Sequence, residues 1–421
     1  MSESGRKPRP RVVVVGGGFG GLEVAKALRK ADVDVLLIDK RNHHLFQPLL
    51  YQVATAALSA TDIAAPIRNV LRHCESCTVF LSEVDTIDTR KHTLHTTSGD
   101  VIAYDYLVLA AGVTNRYFGH DDWEAHAPGL KSLEEALDIR RLVLLAYEGA
   151  ETHGAKHDDA ELTFVVIGGG ATGVELAGAL TEIARKTMTK NFRNFDPKQA
   201  RVVLLEGGSR LLPAFAPELS ERVLEDLRAL GVDVRLQTLA DRIDQGGVTL
   251  KDGTHILAHT VVWAAGVGGA PIGRALGVPL DKMGRVPVRR DLAVVGIPSE
   301  AHVFVIGDLA ALEQDGVPLP GVAQVAMQMG HHVAHNILLD IEGKAAKDFR
   351  YHDKGSMATI GRSRAIAQIG NVQLTGFVAW CAWLFVHVMA LVGFRNRVAV
   401  FLEWAYAYVT YQRSARIILK E

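Results

Sequence analysis

The chain has 421 residues, of which 48% are apolar and 22% are charged, and its formal net charge at pH 7 is −1. That length exceeds what one hydrophobic core usually supports, so we expect two or three globular domains. A nearly neutral chain has no basic field to hold a phosphate backbone, which excludes nucleic acid as the expected partner.

The cysteines and the N-terminal residues predict a chain that works in a reducing cytosol. Cys74, Cys77 and Cys381 are too few for a disulfide framework, and the first residues lack the apolar stretch of an export signal. The spacing of Cys74 and Cys77 would suit a redox pair. Both lie in a polar stretch far from the glycine motifs described next, which favours two ordinary thiols.

The first predicted strand runs directly into a glycine fingerprint. Residues 12–15 are consecutive valines, residues 16–21 read Gly-Gly-Gly-Phe-Gly-Gly, and an apolar helix pattern follows. In a dinucleotide-binding fold the first glycine makes the turn, the second lets a pyrophosphate approach, and the third lets the helix pack on the strand. A second predicted strand ends at Asp39, where a carboxylate can accept hydrogen bonds from a ribose. A third, entering the turn at residues 111–112, is predicted to close the same site.

The same order of a strand, a glycine fingerprint and a later strand that ends at an acid recurs further along the chain. A strand at residues 164–167 enters the fingerprint Gly-Gly-Gly-Ala-Thr-Gly at residues 168–173, and a later strand ends at Glu206. The polar stretch 185–199 is expected to hold the extra length before that strand. A carboxylate at this place favours NADH over NADPH, although the nearby Arg210 leaves NADPH open and Glu206 could also be a solvated strand end.

Two further patterns predict that the second half is a copy inserted into the first. The strand that enters Ala265 and Gly266 repeats the strand that enters residues 111–112. A buried strand at residues 303–306 then runs into Gly307 and Asp308, which suggests that the chain returns to the first domain.

The predicted fold class is therefore α/β, with two dinucleotide-binding, Rossmann-like domains, the second inserted in the first, and a C-terminal membrane-associating helical tail. The predicted boundaries are 8–118 and 291–372 for the first domain, 119–290 for the second and 373–421 for the tail.

The tail has its own composition. Residues 377–393 carry no charge, residues 398–409 are again rich in aromatic and apolar side chains, and Arg413, Arg416 and Lys420 close the chain. A span needs about 20 apolar residues, so the first stretch is short. Aromatic residues flanked by basic ones suit helices that lie in the headgroup region of a membrane. A buried helix pair and a true span stay open as alternatives.

Together these patterns resemble the type II NADH dehydrogenases, single-subunit flavoproteins that pass electrons from NADH to a membrane quinone without pumping protons. The two glycine fingerprints are shared by a whole superfamily of flavoproteins that bind two dinucleotides, so they are only moderately specific. The pattern Ala323-Gln324-x-Ala326-x-Gln328 and the basic aromatic tail are much more specific. Other matching stretches are residues 42–51, residues 303–308 and residues 393–397.

The resemblance implies FAD on the first domain, NADH on the inserted domain, and a quinone, either menaquinone or ubiquinone, as acceptor; it implies no metal. The FAD residues would be Gly16, Gly18, Phe19, Gly20, Gly21, Asp39, Lys40, Ala111, Gly112, Asp308 and Gln324. The NADH residues would be Gly168, Gly170, Thr172, Gly173, Glu175, Glu206, Ala265 and Gly266. The quinone residues would be Ala323, Gln324, Gln328 and Lys354.

The expected catalytic residues are Glu175, Gln324 and Gln328. Gln324 and Gln328 are four positions apart and share one face of a predicted helix that runs through His335, whose N-terminal dipole could stabilise charge on a reduced flavin. That face could equally be solvated. Glu175 lies one turn into the second glycine helix, either aimed at the reacting rings or simply stabilising the helix dipole. Weaker candidates for proton donation are His331, His332 and His335.

The resemblance also implies a peripheral protein on the cytoplasmic face of the inner (plasma) membrane, in contact with the lipid surface, with a possible homodimer through the C-terminal region. Three alternatives remain. A sulfide–quinone oxidoreductase would need two cysteines beside the flavin. A reductase of an iron–sulfur protein and a non-catalytic FAD- and NADH-binding interaction protein would need no quinone.

Overall fold

The structure, a computed structural model, describes residues 9–154, 158–189, 191–410 and 415–418. The chain divides into two compact units, and each contains one of the glycine fingerprints. The first unit comprises Met1–His44, Ala65–Thr114 and Val267–Asp353, and the second comprises Leu45–Ala64, Asn115–Gly266 and Lys354–Glu421.

A parallel five-stranded sheet forms the centre of the first unit. The predicted valine run is fully buried in it, as expected for a parallel sheet that is covered on both faces. The strand that precedes Gly307 lies at one edge, so the chain does return to the first sheet, and the predicted insertion of the second unit is confirmed. In spatial order the strands are Val303–Val305, Tyr106–Leu109, Arg11–Val15, Asp34–Asp39 and Cys77–Leu81.

Two helices of the first unit cross at a pair of glycines. The first glycine helix, Phe19–Leu28, packs against the long helix Ala323–Ile341. A Cβ atom on Gly330 would overlap the carbonyl oxygen of Gly20, so the two backbones meet directly. The long helix was predicted through His335 and continues for one and a half more turns.

The other elements of the first unit are short. They are the strands Val84–Asp88, Thr93–Thr96, Val101–Ala103, Val267–Gly269, Val286–Pro287, Ala310–Ala311, Glu313–Gln314 and Val317–Pro318, the α-helix Ile67–Val70, and the 3-10 helices Pro271–Leu276, Ser299–Ala301 and Gly307–Leu309. Three further strands contain a boundary between the units: His43–Leu45, Ala64–Pro66 and Val113–Asn115.

The second unit repeats the design with a parallel four-stranded sheet. Its second glycine helix, Ala171–Glu182, continues into a π-helical turn at Ile183–Thr187. This turn, the irregular residues 191–196 and the 3-10 helix Pro197–Gln199 contribute to the extra length predicted before Glu206. In spatial order the strands are Asp233–Arg235, Arg201–Leu205, Thr163–Ile167 and Thr260–Trp263.

Two antiparallel sheets, six more α-helices and two more 3-10 helices complete the described part of the second unit. The sheets consist of Ala240–Asp244, Gly247–Leu250 and His255–Leu257, and of Ser356–Gly361, Arg364–Ile369 and Val372–Thr375. The α-helices are Leu50–Ala54, Ala60–Ile63, Leu133–His153, Pro217–Leu230, Gly376–Ala390 and Phe394–Thr410. The 3-10 helices Gln47–Leu49 and Asp121–Ala125 also belong here.

The last two helices are neither a buried pair nor spans. Helix Gly376–Ala390 packs on the strand Arg364–Ile369 and buries Trp383, which is only 2% exposed. Many other side chains of the two helices are open to solvent: Phe385 is 68% and Val409 is 79% exposed. Within the described residues, no helix combines the length and the apolarity that crossing a bilayer requires.

The division differs from the predicted boundaries because of three pairings. Val286–Pro287 forms a parallel pair with Ala310–Ala311, which ties residues 267–290 to the first unit and not to the inserted one. The hairpin that begins at Ser356 packs on the second glycine helix, and Leu50–Ala54 packs on the helix Leu133–His153. Both segments therefore belong to the second unit, together with the tail.

The expectation of two ordinary thiols was wrong. Cys74 and Cys77 are joined by a disulfide, because the turn between them brings their Cα atoms to 5.3 Å. The pair lies at the start of the strand Cys77–Leu81, where Cys77 is aligned with Val35. That is the amino end of the parallel sheet, opposite the end that carries the glycine turn. Cys381 is a free, exposed cysteine.

Candidate active site

Two of the glycines in the first turn are required by packing and one is not. Gly16 has φ +108°, and a Cβ atom there would overlap the carbonyl oxygen of Ala110. A Cβ atom on Gly21 would overlap the oxygen of Gly16. A Cβ atom on Gly18 would meet no protein atom within 4 Å. The open space at Gly18 leaves room for a group that approaches from outside the protein, as a pyrophosphate does in folds of this kind.

The second turn shows the same distinction. Gly168 has φ +115° and lies against the carbonyl of Ala264, and Gly173 lies against the oxygen of Gly168. A Cβ atom on Gly170 would again meet nothing within 4 Å. Each unit thus presents one open glycine at the N-terminus of a helix, where unpaired backbone N–H groups favour an anion.

The predicted acidic partner of each turn lies beside it. The Asp39 carboxylate accepts a hydrogen bond from Gly17 N at 2.5 Å and from Arg41 N at 2.7 Å. The Glu206 carboxylate accepts one from Gly169 N at 2.6 Å and from Gly208 N at 2.5 Å. The loop itself therefore holds each acid at the carboxyl end of its strand. In that position a carboxylate can accept hydrogen bonds from ribose hydroxyls.

The remaining dinucleotide residues lie at the same edges of the two sheets. In the first unit Ala111 and Gly112 follow the strand Tyr106–Leu109, and Asp308 follows Val303–Val305. In the second unit Ala265 and Gly266 follow Thr260–Trp263. Thr172 is in the first turn of the second glycine helix. The carboxyl edge of a parallel sheet is where ligands of open α/β folds bind, so this arrangement fits one dinucleotide in each unit.

Three other residues that were expected to bind FAD make contacts within the protein: Phe19, Gly20 and Lys40. Phe19 begins the first glycine helix and its ring meets the edge of His44 at 4.9 Å. Gly20 is the packing contact with the long helix. Lys40 forms an exposed ion pair with Glu83 at 3.5 Å.

A buried histidine supports the first turn. The Nδ1 atom of His44 lies 3.1 Å from the carbonyl oxygen of Gly17, and the side chain is 2% exposed. Burial lowers the pKa of His44 to about 4, so the imidazole is neutral at pH 7 and donates its N–H to Gly17.

The two glutamines of the long helix differ in their surroundings. Ala323 is the first residue of the helix, whose N-terminus has no side-chain cap, and Gln324 is half-buried in its first turn. The amide of Gln328 donates to the carbonyl of His352 at 2.9 Å and accepts from its backbone N–H at 3.0 Å. The structure thus uses Gln328 to fix the backbone at residue 352.

The other predicted proton donors do not gather around these amides. His332 lies 2.9 Å from the carbonyl of Lys347, and burial lowers its pKa. His331, His335 and Lys354 are exposed.

Glu175 borders a cavity within the second unit. The cavity measures about 850 Å³ including its open mouth and is enclosed by the second glycine helix, the helix Leu50–Ala54, the hairpin Ser356–Ile369 and the two tail helices. Neither Gln324 nor Gln328 is among its lining residues. Its lining includes the polar side chains of Gln52, Glu175, Glu182, Lys186, Arg362 and Trp404.

The carboxyl group of Glu175 is protonated at neutral pH. The backbone N–H of Thr359 donates to it at 3.3 Å, which favours the charged form. Burial acts in the opposite direction and dominates, so the pKa of Glu175 rises to about 8. Such a group can give a proton at pH 7, which an ordinary first-turn glutamate cannot.

Sequence patterns did not identify the polar contacts in this cavity. Trp404 donates its indole N–H to Oε1 of Gln52 at 2.7 Å, and Gln52 donates to the hydroxyl of Tyr51 at 2.9 Å. The Arg362 guanidinium lies 3.8 Å from the ring centre of Tyr408. The matching stretch 42–51 ends just before Gln52, and only the fold shows that Gln52 meets the tail.

Known protein families match two consecutive parts of the chain. Residues 10–330 match the family described as pyridine nucleotide-disulphide oxidoreductase, and residues 353–411 match the NDH2 C-terminal domain. The protein described as type II NADH:quinone oxidoreductase NdhA, from Mycobacterium tuberculosis, is 42% identical over an alignment that covers 98% of this chain and 90% of the relative.

Solved structures show the same fold. The structure of NDH2 from Plasmodium falciparum in complex with NADH matches with a TM-score of 0.87 at 19% identity, covering 98% of this chain and all of the other. The sulfide:quinone oxidoreductase of Aquifex aeolicus matches with a TM-score of 0.74 at 22% identity, covering 95% of each chain.

Proposed function

The chain belongs to the type II NADH:quinone oxidoreductase family, and from this premise we infer that it passes a hydride from NADH to FAD and two electrons from reduced flavin to a quinone, without pumping protons. FAD, when bound, supplies the hydride and electron chemistry, and the protein supplies binding, orientation and electrostatics. The observation that carries this conclusion is the pair of open glycines, Gly18 and Gly170, each beside a carboxylate that its own loop holds in place.

We propose that the first unit holds FAD. Gly16, Gly18 and Gly21 would form the cradle of the pyrophosphate, and Asp39 would accept the adenosine ribose hydroxyls. Asp308 would bind the ribityl side, since it follows the edge strand of the same sheet. The uncapped N-terminus at Ala323 offers a positive dipole end for charge that develops on the flavin.

The second unit is proposed to hold NADH. Gly168, Gly170 and Gly173 would take its pyrophosphate and Glu206 its adenosine ribose. A 2′-phosphate at that place would face a carboxylate, and the nearby Arg210 is already bonded to the carbonyls of Pro213 and Phe215 at 2.8 and 3.2 Å. These contacts favour NADH as the electron donor.

We propose the cavity of the second unit as the place where the quinone meets Glu175. Its aromatic walls suit an apolar ring and tail, and Glu175 offers a protonated carboxyl at neutral pH. That the quinone contacts Ala323, Gln324, Gln328 and Lys354 is a separate proposal, since none of these residues lines this cavity. Gln328 would then act through the backbone of His352, because its amide is bonded there.

Rapid mixing of the flavin-loaded protein with NADH tests the function. Loss of the flavin absorbance on the timescale of turnover, followed by its return when a lipid-like quinone is added, is the expected result. A protein that binds both nucleotides without catalysis would keep its absorbance. A reductase of an iron–sulfur protein would lose it but would not recover it with quinone.

Sulfide chemistry is a poor fit for the disulfide. Cys74 and Cys77 lie at the amino end of the first sheet, whereas the glycine turn and Asp39 lie at its carboxyl end. A cysteine pair that relays electrons has to reach the flavin, and this pair is at the wrong edge.

We also propose that the tail binds a lipid surface on the cytoplasmic side of the plasma membrane. Phe385 and Phe401 are 68% and 60% exposed, which in water is unfavourable for side chains of this size. Deleting the tail would also uncover the sheet that Trp383 covers, so Phe385→Glu and Phe401→Glu are better tests. Both variants should bind anionic vesicles more weakly than the wild type. NADH should still reduce their flavin. If they instead split a dimer and keep their vesicle binding, the tail mediates self-association.

A further inference from the structure

We propose that Glu182 and Lys186 form a path that returns protons from bulk water to Glu175. This inference rests on the proposed function, because it concerns how the proton donor to the quinone is recharged. Glu175, Glu182 and Lys186 are all on the wall of one cavity, and all come from the second glycine helix and the turn that continues it.

The spacing of these residues places them along one helix face. Seven positions separate Glu175 from Glu182, which is two helical turns and about 10 Å along the axis. Lys186 follows one turn later. Ala179 lies between the two acids on the same wall, and its small side chain leaves room for bridging water. Protons move readily along such a chain of titratable groups and water.

Exposure gives the path a direction. Lys186 is exposed to solvent, Glu182 is half-buried, and Glu175 is in surroundings that suppress its charge. The other titratable or charged groups that line the cavity are Tyr51, Arg362 and Tyr408. Tyr51 is bonded to Gln52, and Arg362 lies over the ring of Tyr408. Glu182 is therefore the only carboxyl besides Glu175 on the described wall.

The balance of the reaction requires one such proton. NADH and a quinone yield NAD⁺ and a quinol, which takes up the hydride and one proton from outside. The Glu175 carboxyl gives its proton to a quinone oxygen and becomes a carboxylate. Glu182 then passes a proton to Glu175 through water, and Lys186 or bulk water restores Glu182.

Glu182 also has a structural contact, which the test has to separate from proton transfer. Its Oε1 accepts a hydrogen bond from the backbone N–H of Arg362 in the hairpin turn. Glu182→Gln keeps an oxygen for that bond but cannot be protonated and deprotonated. Lys186→Met removes the charged group at the exposed end of the path and keeps the Glu182 carboxylate that bonds the hairpin turn. Glu221→Gln, an exposed change on the helix Pro217–Leu230, is the matched control.

The first measurement needs neither substrate. On transfer of the resting protein into D₂O, the infrared C=O band of the Glu175 carboxyl, identified by its loss in Glu175→Gln, shifts as its proton exchanges. We expect exchange at least tenfold slower in Glu182→Gln and Lys186→Met than in the wild type and Glu221→Gln. Equal exchange rates in all four proteins overturn the path.

The second measurement follows turnover. Glu182→Gln should reduce its flavin with NADH at the normal rate, reoxidise it with quinone at least tenfold more slowly at pH 8, and recover when imidazole is added, because imidazole titrates close to this pH and can carry the proton. A slow reoxidation that imidazole does not restore makes Glu182 a purely structural support of the hairpin. A wild-type protein that never reoxidises with quinone refutes the proposed function instead, and leaves the exchange result to decide the path.

Discussion

Trp404 donates its indole N–H to the side-chain oxygen of Gln52, 2.7 Å away, and so joins the last helix of the chain to the short helix Leu50–Ala54. Gln52 is 8% exposed. Trp404 is half-buried, so its removal leaves the buried amide oxygen of Gln52 unsatisfied, at a cost of about 1–3 kcal/mol. The cavity wall therefore depends on a contact between residues 352 positions apart in sequence.

Trp404→Phe should raise the KM for quinone several-fold and lower the melting temperature by a few degrees. The rate at which NADH reduces the flavin should not change, since no nucleotide residue is involved. Trp380→Phe is the matched control, because Trp380 lines the same cavity and contacts the rings of Phe377 and Tyr408. Equal effects of the two changes on quinone KM would refute the role of the Gln52 contact.

Gly18→Ala and Gly170→Ala should both fold, because the added methyl group meets no protein atom within 4 Å. Gly18→Ala should be purified with little FAD. Gly170→Ala should keep its FAD and show a KM for NADH raised about tenfold or more. Gly21→Ala is the contrasting case, since its methyl group would overlap the oxygen of Gly16 and prevent folding. Circular dichroism, flavin content and NADH kinetics distinguish the three variants.

Glu206→Gln should shift the choice of electron donor towards NADPH. Removing the carboxylate charge ends its repulsion of a 2′-phosphate, so kcat/KM for NADPH should rise about tenfold, which corresponds to about 1.4 kcal/mol. Asp39→Asn is the control in the other unit: it should weaken FAD binding and leave the ratio of NADPH to NADH rates unchanged. An unchanged ratio in Glu206→Gln would show that the carboxylate does not face that ribose.

The stability of the protein should fall as the pH rises from about 4.5 to about 8, and Glu175 should cause no further loss above that. The folded state raises the pKa of Glu175 from its ordinary value of 4.5 to about 8, so the folded protein binds a proton that the unfolded chain releases between those values. The stabilising effect is complete below pH 4.5 and is lost as the pH passes through 8. Glu175→Gln cannot ionise, so its melting temperature should decline less than that of the wild type between pH 6 and 9. Parallel curves would mean that Glu175 titrates normally.

Much of the fold followed from local patterns. The valines at residues 12–15 and the apolar run at residues 164–167 predicted buried parallel strands, and the glycines after them predicted the turns, because both features depend on neighbouring residues only. The acids Asp39 and Glu206 were identified in the same way. The predicted return of the chain at residues 303–306 was also correct, since a buried strand needs a sheet to join.

Contacts between distant segments were beyond the reach of such patterns. The disulfide depends on how the turn from Cys74 to Cys77 is shaped, and spacing alone could not decide between a bond and two thiols. Gln328 looked like a free amide on a helix face, yet the backbone at His352 takes up its bonds. Sequence patterns did not indicate the proton path through Glu182. The cavity that Glu182 lines is formed together with the hairpin and the tail, which are distant in sequence.

The two parallel sheets follow one pattern, so that two features of the first unit have a counterpart in the second: Gly18 matches Gly170, and Asp39 matches Glu206. A substitution in one unit leaves the matching residue of the other unit unchanged in the same molecule. Experiments on this chain can therefore compare what a glycine or an acid contributes to holding a permanently bound nucleotide and to holding one that leaves after each cycle. Expression, solvent and lipid are the same in both cases.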